Sequence, residues 1–191
     1  MITTKQELKD FLGRDRKALG LDKKNLIVEY LKGNIEPIVI WEYIQRLRQF
    51  EYYTNSAKNR NNPFIKLKYL LYKHYFKKMR LKYNIFIDPN VFGPGLNIVH
   101  PGYIWVDESS VVGENCTILP RVLLGKKKPG IPAPNIFIGD NCYIGTGATI
   151  LGPIRIGNNV TIAAGAVVVK DIPDNVIVAG NPAKIIKYKT L

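Results

Sequence analysis

Histidine is scarce in this chain: among 191 residues only His74 and His100 carry an imidazole. An imidazole has an unperturbed pKa of ~6.5 and accepts a proton at neutral pH, so general-base chemistry is sought at these two positions first. His74 stands among lysines in FIKLKYLLYKHYFKKMRLKY, where a surface or packing role is expected. His100 stands in LNIVHPGYI, where Pro101-Gly102 forces a turn, and it is the candidate catalytic base. So few histidines exclude a histidine-rich metal site, and Cys116 and Cys142 are too far apart for a CxxC pair, so no metal is expected. The phosphate-cradling GxxxxGK[ST] loop, the GxSxG elbow and the HExxH helix are absent from the sequence. Lys170, Lys184, Lys187 and Lys189 can hold phosphates as mobile point charges or can solubilise an end cap.

The element that must position His100 is visible in a repeat. Ile138, Ile144, Ile150, Ile156, Ile162 and Val168 stand six apart, a period that suits neither a helix nor a hairpin sheet. Each hexad supplies a short strand and a turn, its apolar residue points inward, and successive coils stack at ~4.8 Å. This predicts a parallel β-helix. Gly139, Gly145, Gly157 and Ala163 follow four of the markers, where a permissive turn is expected. Cys142, Ala148, Ile154, Val160 and Ala166 come four residues after a marker and suit a narrow interior, as does Cys116, so both thiols are expected to be core residues. Val106, Val112, Ile118 and Leu124 keep the spacing, and Phe92, Ile98 and Ile104 keep it in a register displaced by two, which places His100 at a register break. Leu124 and Ile138 stand two residues beyond two hexads apart, so KKKPGIPAPN must bulge out, either as a solvated connection or as the wall of a site.

The coil region, residues 85–191, carries 9 Lys+Arg against 7 Asp+Glu, whereas residues 1–84 carry 19 against 8, so the net +13 belongs to the N-terminal part. That part reads as helical. Thr3 or Thr4 caps a first helix, Lys24–Leu31 makes a second, and a third follows Pro37 towards Tyr53. NSAKNRNN, 55–62, reads as a linker. A basic amphipathic helix then covers 63–83, with Lys66, Lys73, Lys77 and Arg80 on one face. It can pack on the prism or a neighbouring subunit, or lie on an anionic membrane surface; nucleic acid is not expected, because no recognised motif accompanies the charge. The sequence holds neither a membrane span nor a secretory segment, which leads to the expectation of a cytoplasmic protein.

With VHPG ahead of the hexads and KDIPDNVIVAGNPAKII behind them, residues 85–188 resemble the hexapeptide-repeat acyltransferases. The resemblance implies a mainly β fold, a left-handed parallel β-helix preceded by an N-terminal α-helical region. It further implies an O-acetyltransferase that uses acetyl-CoA as co-substrate, in a homotrimer with sites between subunits. In that family His100 matches the general base. Thr146 and Ala164 match positions along the pantetheine arm, and Lys170 and Lys187 match positions near the CoA phosphates, with Lys184 a further candidate. The N-terminal helices and early histidine are similar to serine acetyltransferases and their relatives in surface-polysaccharide gene clusters. Serine acetyltransferases carry aspartates directly before the histidine and fifteen residues before it, where this chain has Val99 and Ile85. Their second histidine corresponds to Asn135, the substrate-binding candidate here, preceded by Pro134. The resemblance therefore implies a sugar hydroxyl of a surface polysaccharide or its precursor as acceptor, with serine as the alternative. A non-catalytic trimeric scaffold or membrane-surface module is the reading from another class. The partner that orients His100 is expected among Asp88, Asp107, Glu108 and a backbone carbonyl.

Overall fold

The computed structural model describes residues 1–59 and 62–190. Four helices, α1 (Lys5–Ala18), α2 (Leu26–Leu31), α3 (Ile35–Asn59) and α4 (Pro63–Tyr83), precede a run of short strands beginning at Ile85. Thr4 caps α1 in a reciprocal box with Glu7, and Asn25 and Asn62 cap α2 and α4. The residues expected to form a linker divide: 55–59 are the last turn of α3, and Arg60 and Asn61 lie outside the described residues. Local polarity was overridden by a tertiary bond, because the Asn55 side chain is buried and donates to Ile2 O and Asn90 Oδ1.

The strands wind into a three-sided prism, the left-handed parallel β-helix expected from the repeat and the resemblance. Its first face stacks β1 (Ile85–Ile87), β3 (Ile104–Val106), β6 (Leu123–Lys126), β9 (Thr149–Gly152) and β12 (Val167–Val168). The second face holds β4 (Ser110–Val112), β7 (Ile136–Ile138) and β10 (Ile154–Ile156). The third face holds β2 (Asn97–Ile98), β5 (Thr117–Ile118), β8 (Tyr143–Ile144), β11 (Thr161–Ile162) and β13 (Val176–Ala179), closed by antiparallel β14 (Lys184–Tyr188). Every hexad marker from Ile138 to Val168 is buried, and Cys116 and Cys142 are buried beside them, where desolvation pushes both thiols up.

The glycines after the markers serve a different purpose from the one their type suggests. Gly139, Gly145 and Gly157 do not have positive φ; left-handed backbone falls instead to Asn141 and Asn159, two residues on in two of these turns. What requires glycine is crowding, since a Cβ on Gly145 would lie 2.6 Å from Ala164 N on the next coil.

A buried ionic cluster fixes the helices to the first coil. Arg48, fully buried, directs all five donors to partners: Nε to Asp15 Oδ2 (2.8 Å), Nη1 to Glu51 Oε2 and Phe92 O, Nη2 to Asp15 Oδ1 and Gly93 O. Asp15 in turn accepts from Gly95 N and Leu96 N, and Glu51 from Asn90 N. Burial opposes charge on the guanidinium, but the two carboxylates outweigh it and hold Arg48 charged. Replacing Arg48 strands two carboxylates in the interior, so Arg48→Met should cost about 3–5 kcal/mol of stability in a denaturant titration. A loss below about 1 kcal/mol would show that the cluster does not hold the two parts together.

Candidate active site

Because the coils stack in register, each edge of the prism is a column of equivalent turn residues. One edge lies between the third and first faces. There the turns after β2, β5, β8 and β11 place His100, Pro120, Thr146 and Ala164 above one another. The column is tied by Thr146 Oγ1 donating to Pro120 O (2.7 Å) and by Gly165 N donating to Thr146 O (2.8 Å). At ~4.8 Å per rung, His100 and Ala164 stand about 14 Å apart along this edge. Ile98 and its inward successor Val106 are eight residues apart rather than six, so the His100 turn holds two extra residues and projects from the wall.

His100 is exposed, and its Nδ1 lies 3.0 Å from Glu36 Oε2 in the first turn of α3. Both side chains are more than half exposed, so the pair adds little stability; its effect is to orient the ring. With Nδ1 facing a carboxylate, Nε2 is the nitrogen left to take a proton from an incoming group. None of the expected orienting partners serves. Asp88 receives Arg80 (2.8 Å) and Asp107 receives Ser109 N, both on the edge between the first and second faces, and Glu108 follows Asp107 on that same edge. Glu36 was invisible to sequence reasoning because it is 64 residues from His100; its position before Pro37 at a helix start was the only local hint.

The other candidates lie elsewhere. Asn135 and Lys170 belong to the edge between the first and second faces, where Lys127–Asn135 leaves the prism between β6 and β7. This is the bulge expected from the hexad count: Ser110 pairs with Ile136, 26 residues on, whereas Ile136 pairs with Ile154, 18 on. Asn135 is buried, with Nδ2 donating to Pro132 O (2.8 Å), so its amide braces the loop. Beside it Asn135, Phe137, Pro153, Arg155 and Asp171 line a cleft of about 590 Å³, one full face away from His100. Lys184 and Lys187 are exposed on β14 at the far end of the third face. A single chain therefore gathers His100, Thr146 and Ala164 but not Asn135, Lys170, Lys184 or Lys187.

The position fifteen before His100 is Ile85, on the first strand of the prism. Ile85 points into the prism, fully buried, and the outward residue of that strand is Phe86, tilted against Trp105 with ring centroids 5.3 Å apart. Outward-facing or inward-facing, no carboxylate stands there. Among the described residues no three histidine, cysteine or acidic side chains converge as a metal site would require, and no helix is long and apolar enough to cross a membrane.

Residues 135–170 match the family described as bacterial transferase hexapeptide (six repeats). The chain is 32% identical over 134 residues to the putative acetyltransferase YvoF of Bacillus subtilis, covering 68% of this chain and 72% of that protein. It is 42% identical over 98 residues to serine acetyltransferase 4 of Arabidopsis thaliana, covering 50% of this chain but spanning only 27% of that protein. Among solved structures, serine acetyltransferase in complex with coenzyme A from Brucella abortus superposes with a TM-score of 0.71 at 27% identity, over 97% of this chain and 70% of that one.

With two histidines in the chain, the Glu36 contact is directly testable. In nitrogen-15 spectra of histidine-labelled protein, Glu36→Gln should move the His100 ring signals and leave those of His74 in place. Unmoved His100 signals would show that the carboxylate does not hold the ring.

Proposed function

The chain belongs to the bacterial hexapeptide-repeat transferase family, and on that premise we propose that it is an acetyl-CoA-dependent O-acetyltransferase with His100 as its general base. The observation that carries this reading is the column of one edge: an exposed, carboxylate-oriented imidazole with Thr146 and Ala164 aligned above it. The thioester arm would lie along that column with its carbonyl beside His100. Nε2 takes the proton from an acceptor hydroxyl as the oxygen attacks the thioester carbonyl; the tetrahedral intermediate collapses, the C–S bond breaks, and the proton returns to the departing thiolate. Acetyl moves from sulfur to oxygen, with no covalent enzyme intermediate. Base assistance supplies ~10²- to 10⁴-fold in rate, and holding both reactants in one groove supplies much of the rest.

The division of candidates between two edges supports a homotrimer. Both edges border the first face, whose outward residues Phe86, Trp105, Leu123, Leu151 and Val167 are apolar, with Thr149 the polar residue between Leu123 and Val167 and with Trp105 40% exposed in the single chain. Packing three copies by this face would bring the His100 edge of one against the loop edge of the next, adding Lys170 and the 590 Å³ cleft to the groove. Lys187 and Lys184 would then be reached by the phosphate end of CoA.

L-serine is the acceptor that the comparisons support, since serine acetyltransferases recur among the relatives and the solved structures. The residues around His100 favour a second reading, a sugar hydroxyl of a surface polysaccharide or its precursor. Val99 and Phe86 offer no charge to a serine ammonium or carboxylate, nor would Asn135 from the loop edge of a neighbouring copy, and among the described residues Glu36 is the carboxylate at the ring.

Two measurements test these statements. Purified His100→Ala should keep CoA binding and lose ~10²- to 10⁴-fold in acetyl transfer; turnover within about threefold of wild type would remove His100 from the base role. Acceptor-dependent CoA release should be followed with L-serine and with a panel of nucleotide sugars and oligosaccharides. Formation of O-acetylserine at enzymatic rates establishes the first acceptor, and release with a sugar but not with serine establishes the second.

A further inference from the structure

Helix α4 buries one side and leaves the opposite side bare in a pattern that the acetyl-transfer reading does not use. Tyr69, Tyr72, Phe76, Met79 and Tyr83 pack against α3 and the prism end, with Phe76 stacked on Phe50 at 5.2 Å. Arg80 belongs to this packed side, pairing with Asp88 and lying over Phe86, so it does not extend a solvated basic face as its spacing suggested. On the opposite side Phe64, Leu67, Leu71 and Leu81 are exposed by 76, 56, 61 and 72%. They recur three and four apart along one stripe, interrupted by His74 and Lys78, and Leu70 flanks it at 58%. Lys68, Lys77, Lys78 and Lys82 are exposed on or beside the stripe. The 21 residues of α4 include seven Lys or Arg and no Asp or Glu.

We propose that this face of α4 docks on an anionic lipid surface, with Phe64, Leu67, Leu71 and Leu81 entering the headgroup boundary and the lysines meeting lipid phosphates. Bare apolar side chains bordered by cations are what an interfacial helix presents. Charge selects this occupant over a second copy of the chain. Two α4 faces in contact would bring Lys68, Lys77, Lys78 and Lys82 of each against the same four of the other with no acidic residue of either helix between them, and Lys78 would stand in the seam. The leucines select lipid over nucleic acid, whose phosphates call for cations alone. Helix α4 covers the N-terminal end of the prism, so the proposal holds whichever acceptor is acetylated; in the proposed trimer three such faces would share one end.

The test is co-sedimentation of the full chain with vesicles of phosphatidylcholine alone and of phosphatidylcholine with about 30% phosphatidylglycerol. Binding is expected to the anionic vesicles only, falling severalfold when NaCl is raised from about 0.1 to about 0.5 M. The double variant Leu67→Glu, Leu71→Glu should lose at least about tenfold in vesicle binding while keeping its helical circular dichroism and its molar mass in solution. Failure to bind anionic vesicles, equal binding by the variant, or equal binding to neutral vesicles would overturn the proposal. A fall in molar mass of the variant would assign the face to contact between copies instead. Equally tight, salt-sensitive binding of the wild type to a DNA duplex that survives in the double variant would assign the lysines to nucleic acid.

Discussion

The molecule depends on one constraint, the parallel hydrogen-bonded stacking of each coil on the one before it. Thr161 pairs with Tyr143, and Val167 with Thr149, each 18 residues apart, so residues at the same place in a coil form a column. Interior columns must be apolar or small, and crowded wall positions such as Gly145 must lack a Cβ. Outer corners are free of both demands, which is why functional side chains can collect there. The register also absorbs insertions: the loop at Lys127–Asn135 leaves and returns without disturbing the pairs on either side, and the two extra residues at His100 push that one turn outward. A site built this way inherits its spacing from the backbone.

A second constraint connects the helices to that column. Arg48 and its two carboxylates hold the middle of α3 and α1 to the first coil, and Tyr43 Oη donates to Ile85 O one turn earlier. With its middle fixed there, α3 can only start near the first turn of the third face, and that start carries Glu36 to His100. The orientation of an exposed imidazole thus rests on a buried ionic cluster remote from it. Such a cluster adds less to stability than its bonds suggest, because each charge was taken from water, yet it tolerates few alternative arrangements.

The fold was legible because a period of six has few physical solutions, and the inward markers, the cysteines, the bulge and the start of the coil near residue 85 all followed from it. Where the reading departed from the structure, long-range contacts were responsible. The run at 55–59 is helical because Asn55 finds buried partners at Ile2 and Asn90, which no local pattern announces. Arg80 looked like part of a solvated face until Asp88 and Phe86 claimed it. Glu36 reaches His100 across the whole helical region, a distance that spacing arguments do not span. For the same reason, a single chain separates Asn135 and Lys170 from His100 although all three were assigned to one site: sequence order does not say which edge of the prism a residue occupies.

The central claim is that the thioester lies along the column of His100, Thr146 and Ala164, within reach of Nε2. An experimental structure of the CoA complex tests it most directly. The account predicts the CoA sulfur within about 5 Å of His100 Nε2, the pantetheine arm running past Thr146 and Ala164, and the nucleotide directed towards the C-terminal lysines. Coenzyme A bound away from that edge, or an imidazole whose Nε2 faces away from the sulfur, would contradict it.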